Sequence, residues 1–314
     1  MSYVEEEIQS QGMIPIVRAK NAQQAIGAVN ALVRENMKIV EFPWDLADSA
    51  KIMEKVKAEC RGVRYGCSHV REPKQAEASV MAGAEFLVVS ALNRETIDCG
   101  KTLGIKVFPV AGTLGEIEEA ICQGFDRICI EPVDMIGRDD LFYRLKRTYP
   151  GIRFMPRGGI TTETAEDYLS FSNVFACGGS WLAPESLMET SSWAAIEELA
   201  MNAIYAMLGF RVLSIDFAEF PESVHVSDGF TKMFKLKDIV TFTEETFPEH
   251  APLRLTISTN HIKRSVAYLQ SKGYHFLMDK APKNKNGGYP YVYLADAING
   301  TLVRLLQKNS RMDG

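Results

Sequence analysis

Short apolar runs alternate with stretches of helical spacing from about residue 12 to residue 182. The runs occupy 13–17, 39–42, 63–66, 86–89, 107–110, 128–130, 152–155 and 174–177. Between the first two, Ala22, Ala25, Ile26, Val29, Leu32 and Val33 recur along one face of a helix. Thr113 and Glu116 before Ile117 have the spacing of a capping box. Asn36, Gly83, Gly104 and Gly124 fall where helices should stop. Strand–helix alternation on this scale predicts a parallel sheet. Eight such units in under 200 residues predict an α/β fold of the closed (β/α)8 TIM-barrel type. No GxGxxG follows the first run, which argues against a dinucleotide-binding sheet.

The rhythm then changes. A helical stretch covers about 183–208. Beyond it, 210–217, 253–259, 274–278, 289–294 and 301–307 read as strands, and 260–272 as a helix with Ile262, Val266 and Leu269 on one face. Residues 280–288 read as a polar loop. The expected organisation is a barrel with C-terminal helices over 1–208 and a small α+β domain over 209–314.

Composition narrows the function classes. Of 314 residues, 46% are hydrophobic and 24% charged, as in ordinary globular proteins. The net charge of −5 supplies no basic field for nucleic acid or an anionic membrane surface. No apolar run approaches the roughly 20 residues of a membrane span. The six cysteines include no CxxC pair, and the acidic start of the chain lacks a signal-peptide core. They read as reduced thiols of a cytoplasmic protein.

Candidate chemistry gathers after the last two runs of the barrel. Gly158-Gly159 and Gly178-Gly179-Ser180 each follow an apolar run and precede a helical pattern. Glycine admits close backbone approach, and a helix start offers N–H groups to an anion. At strands seven and eight of a barrel, such turns predict a phosphate or carboxylate pocket.

Residues 12–182 resemble the KHG/KDPG aldolase family. The resemblance rests on Ile14-Pro15-Ile16-Val17-Arg18-Ala19, Ile39-Val40-Glu41, the stretch Ala82 to Val88, Leu92-Asn93, Gly124-Phe125, Pro132, Pro156-Arg157-Gly158-Gly159-Ile160-Thr161 and Gly178-Gly179-Ser180-Trp181-Leu182. It implies enzymes that cleave 2-keto-4-hydroxy acids and release pyruvate. A lysine condenses with the substrate ketone, and the Schiff base accepts the electrons of the broken C–C bond. That lysine lies three residues before the strand-six proline, where this chain has Cys129. A thiolate forms no iminium ion. Lys38 and Lys106 open strands two and five, at the end of the barrel opposite its active-site mouth.

The same resemblance makes Glu41 the general acid/base and Arg18 a ligand for a substrate carboxylate or phosphate. Period-two alternation turns Glu41 into the barrel, where a carboxylate needs a partner, and Arg18 is one. Asp45 stands where many members carry arginine. Ser68 keeps a hydroxyl after strand three, Ser90 follows strand four, Glu131 shares a face with Cys129, and Arg157 replaces a threonine. Arg18, Glu41, Ser68, Ser90, Glu131, Arg157 and Ser180 are expected to converge on one mouth.

Three readings follow. One is a divergent or inactive aldolase that binds an anionic keto acid or sugar phosphate without cofactor or metal. A second is an active lyase using Glu41 with another lysine, or with a divalent metal on Glu41, Asp45, His69 and Glu131. The third is a structural or regulatory homo-oligomer, a trimer as the family's barrels are.

Residues 209–307 resemble a glyoxalase/bleomycin-resistance (VOC) domain through the helix 260–273, Tyr289 to Leu294 and Leu302-Val303-Arg304-Leu305-Leu306. Arg304 stands at the usual metal-binding Glu position, so no metal is expected. His225, His250, His261 and His275 show no ligand spacing.

Overall fold

A computed structural model describes residues 3–90, 92–136, 141–218, 239–243, 247, 251–285 and 287–308. His225 and His250 lie outside the described residues. The chain divides into two compact units, 1–204 and 205–314.

The first unit begins with α1 (Tyr3–Gln11) and continues β1 (Met13–Pro15), α2 (Ala22–Arg34), β2 (Ile39–Pro43), α3 (Ser49–Glu59), β3 (Arg64–Val70), α4 (Pro73–Met81), β4 (Phe86–Val89), α5 (Arg94–Thr102), β5 (Lys106–Ala111), α6 (Leu114–Cys122), β6 (Arg127–Ile130), α7 (Val133–Ile136), α8 (Leu141–Thr148), β7 (Arg153–Pro156), α9 (Thr162–Leu169), β8 (Cys177–Gly179), α10 (Glu185–Glu189) and α11 (Trp193–Leu208). Strands β2 to β7 form one parallel sheet in chain order, and β1 pairs with β8. Bridges Ile16–Glu41 and Arg157–Gly178 join the two sheets. The eight strands therefore follow one another round a ring, as their alternation with helices predicted.

The helix boundaries have local causes. Asn21 caps α2 by accepting from the Gln24 N–H, and Thr113 caps α6 by accepting from the Glu116 N–H. The reciprocal arm of Glu116 reaches the N–H of Gly112 rather than that of Thr113. Asn36, Gly83, Gly104 and Gly124 all take positive φ just past a helix, the backbone turn that ends it.

Two strands differ from expectation. β3 runs four residues further, through a register shift between Cys67 and Val70 where His69 adopts φ 58°. The last strand is Cys177–Gly179 rather than 174–177. Val174 makes only a bridge to Phe154, and regular pairing starts where β1 becomes available.

The barrel interior is filled by Ile14, Ile39, Phe86, Val88, Phe108, Cys129, Met155 and Phe175, with Val4 and Ile8 of α1 packed against them. Phe108 stacks on Phe175 and meets Phe86 edge-on. Gly66 makes room for the Phe86 ring, into which a Cβ at that position would run. Gly66→Ala is therefore expected to cost about 1–3 kcal/mol. Urea unfolding would check it, and a loss below a few tenths would contradict this packing.

The second unit holds β9 (Arg211–Ala218), β10 (Val240–Thr243), β11 (Leu253–Thr259), α12 (Ile262–Ser271), β12 (Tyr291–Tyr293) and β13 (Thr301–Gln307). Its sheet order is β10-β9-β11-β13-β12. β10 was not legible in the sequence. The expected strand 274–278 is reduced to a bridge between Phe276 and Leu294 and a short turn at Met278–Lys280. Ile262 and Val266 of α12 pack on Val292, Leu294, Val303 and Leu305. Among the described residues no helix is long and apolar enough to cross a membrane.

Candidate functional site

The inward faces of the barrel strands change from apolar to polar toward their C-terminal ends. Two positions after Ile39, Gly66, Val88, Cys129 and Met155 come Glu41, Ser68, Ser90, Glu131 and Arg157. Because strand side chains alternate with period two, each polar residue shares the inward face of its apolar predecessor. The polar set thus sits at the end where barrel sites form.

Arg157 is the centre of this set. Its side chain is fully buried, as is that of Glu41. Arg157 Nη1 donates to Glu41 Oε1 at 2.8 Å, and Nε donates to Glu131 Oε2 at 3.2 Å. β2 and β7 are not neighbours in the ring, so the Arg157–Glu41 pair crosses the lumen. Burial works against the guanidinium charge, but Glu41 and Glu131 outweigh it and hold the proton more tightly than usual. Gly178 is required by this pair, because a Cβ there would lie 2.7 Å from Arg157 Nη1.

The pairing leaves polar atoms over. Glu41 Oε2, Ser68 Oγ and Arg157 Nη2 are buried with no hydrogen-bond partner. Buried polar atoms in folded proteins nearly always have partners, protein or ordered water, so these three are the polar groups of the lumen open to a further hydrogen bond.

Arg18 does not pair with Glu41, contrary to one sequence expectation. It donates to Asp45 at 3.2 and 3.3 Å and to Glu185 of α10 at 3.3 Å. His69 Nδ1 lies 3.8 Å from Asp45 Oδ1. Burial alone would raise the Asp45 carboxyl, but the Arg18 hydrogen bonds and the His69 charge hold it below 3.8. The folded state therefore binds this proton less well than the unfolded chain. Its contribution to stability is present above about pH 4 and fades as pH falls through the lowered value. Asp45→Asn should flatten that acid limb, which urea midpoints between about pH 2.5 and 5 would show. An unchanged limb would mean the Arg18–Asp45 contact is not kept in solution.

Cys129 is fully buried among apolar side chains, and burial pushes its thiol well up, more than the nearby Arg157 guanidinium lowers it. This disfavours the thiolate, the form of a cysteine that acts as a nucleophile. Lys106 binds Glu5 of α1 at 2.5 Å, and Lys38 is exposed. Every other lysine of the first unit is exposed or half-buried. The four residues considered for a metal are not gathered either. Arg157 holds Glu41 and Glu131, while Asp45 holds Arg18 and faces His69. Among the described residues no three His, Cys, Asp or Glu side chains are placed to hold a metal ion.

The glycine turns expected to bind an anion have close neighbours of their own. Gly158 and Gly159 take φ of 79° and 65°, with Pro132 against the first and the Asp134 carboxylate against the second. Thr161 and Thr164 close a capping box on α9, which occupies helix-start N–H groups expected to face an anion. Gly179 lies under the Trp181 ring, and Ser180 is exposed. The sequence signal that could have found the Arg157–Glu41 pair was the replacement of a threonine by a long cation beside the glycines.

Comparison with known proteins covers the first unit. Residues 4–199 match the family described as KDPG and KHG aldolase. The 2-dehydro-3-deoxy-phosphogluconate aldolase of Pseudoalteromonas atlantica is 27% identical over 205 residues, 65% of this chain and 95% of that protein. The Treponema pallidum enzyme of the same name is 25% identical over 199 residues, 63% and 95% of the two chains. Among solved structures, KDPG aldolase from Legionella pneumophila, with pyruvate captured at low pH as a covalent carbinolamine, superposes with a TM-score of 0.61. It is 25% identical and covers 64% of this chain and 98% of that one.

Proposed function

We propose that this chain, which belongs to the KDPG and KHG aldolase family, binds a small metabolite in its barrel without forming a Schiff base. The observation that carries this reading is the trio of buried polar atoms, Glu41 Oε2, Ser68 Oγ and Arg157 Nη2, left without partners around one lumen. The Legionella aldolase holds pyruvate through a carbinolamine. A carbinolamine needs an amine nitrogen. Cys129 has none, and no lysine of the first unit is buried. To polarise a ketone, the site offers a hydrogen bond from Arg157 in place of a covalent electron sink. The family resemblance suggests a keto acid or sugar phosphate as the ligand.

The second unit is read as a VOC-like module. Its strand β11, helix α12 and the strands that follow support that reading, with β13 between β11 and β12 and Phe276 bridged to Leu294. Arg304 binds Thr256 Oγ1 at 3.0 Å and lies 5.7 Å from the Tyr291 ring, so a cation stands where such domains place an acidic metal ligand. The module is therefore assigned to interaction or assembly.

Borohydride reduction in the presence of pyruvate tests the barrel reading. The expected result is no covalent adduct by mass spectrometry; a stable adduct on any lysine overturns it.

A further inference from the structure

The charges at the barrel mouth are unequal. Arg157 is matched by both Glu41 and Glu131, and Arg18 by both Asp45 and Glu185. Lys20 is paired with Glu189. The Asp134 carboxylate adds to this acid surplus beside Gly159. Four carboxylates share two guanidinium groups, and even with His69 standing 3.8 Å from Asp45 the set carries no surplus of positive charge. Bringing a keto acid here would add a negative charge to a site already in surplus of them, at low dielectric where repulsion is strong. It would also leave Glu41 Oε2 facing an acceptor.

The unpartnered atoms point the same way. Glu41 Oε2 accepts only, Arg157 Nη2 donates only, and Ser68 Oγ can do either. Glu41 and Ser68 are diagonal neighbours on β2 and β3, since Glu41 pairs with Gly66 and Pro43 with Ser68. Glu41 and Ser68 are fully buried, and Glu41 is aimed into the lumen by its bond across to Arg157. A free acceptor beside a free donor matches a head group that carries a donor and an acceptor together.

We propose that the ligand of this barrel bears a primary ammonium group, as in a 2-amino acid, with the ammonium on Glu41 Oε2 and Ser68 Oγ and the carboxylate on Arg157 Nη2. The head group then adds no net charge to a set already rich in carboxylates. This inference rests on the reading of the barrel as a binding site and changes only the class of its ligand.

Calorimetric titration of the full chain with matched pairs tests it: pyruvate and alanine, 2-oxobutyrate and 2-aminobutyrate, 2-oxoglutarate and glutamate. At least one amino member should bind about tenfold or more tighter than its keto partner. Glu41→Gln should abolish that preference. Should that variant not fold, Glu131→Gln, at a half-buried position, should reduce it about threefold. A preference unchanged in the variant that folds overturns the placement of the ammonium. Tighter keto members overturn the ligand class but leave the binding site standing. No binding of any member overturns both.

Discussion

Arg157→Met should destabilise the protein by about 3–5 kcal/mol, because it leaves Glu41 buried without a counter-charge. Methionine fills much of the arginine's volume, so the loss reports charge rather than a cavity. The double variant Arg157→Met/Glu41→Leu removes both charges and should recover most of that loss, since an apolar replacement of a buried pair is often neutral. Urea unfolding of wild type, both single variants and the double variant gives the coupling directly. A single variant within about 1 kcal/mol of wild type would mean that water screens Glu41 in place of the guanidinium. Glu131 is partly exposed and should contribute little to either result.

Cys129→Lys should give a borohydride-trapped adduct with pyruvate, which is not expected of the wild type. Two effects favour a reactive amine at that position. Burial disfavours the charged form, and the Arg157 guanidinium, close enough to act on Cys129, repels a second cation. A neutral amine is the form that attacks a ketone. The new side chain also adds a donor beside Glu41 and Glu131, so the variant should accept keto acids that the wild type disfavours. Lengthening a packed residue costs about 1–3 kcal/mol, so the melting curve must be recorded alongside. Pyruvate release from 2-keto-3-deoxy-6-phosphogluconate or 4-hydroxy-2-oxoglutarate would be the stronger outcome. A folded variant with no adduct would mean that the ketone never reaches β6, and the proposed binding site would fail with it.

These two variants bear on the same replacement. At Cys129 the chain has a thiol where the family resemblance implies an amine nucleophile. Arg157 supplies a charge nearby, but Glu41 and Glu131 already consume it. Family membership alone therefore does not define the chemistry of this barrel.

Local pattern determined much of this protein. The eight apolar runs, the helices between them and the stops at Asn36, Gly83, Gly104 and Gly124 were legible, because periodicity and turn preference act within a few residues. The inward aim of Glu41 and Glu131 was legible for the same reason. The position of Cys129 before Pro132 was legible by comparison with a motif. What local pattern could not supply was the partner of each inward group. Arg18 was the partner expected for Glu41, and alternation alone gave no reason to prefer Arg157. Closure of the ring brings β7 across the lumen from β2 and joins Glu41 to Arg157, 116 positions away, while Arg18 turns to Asp45 and Glu185. The same closure sets Gly178 against the Arg157 guanidinium. Alternation decides which face a side chain takes, but only the stagger of a closed barrel decides which faces meet.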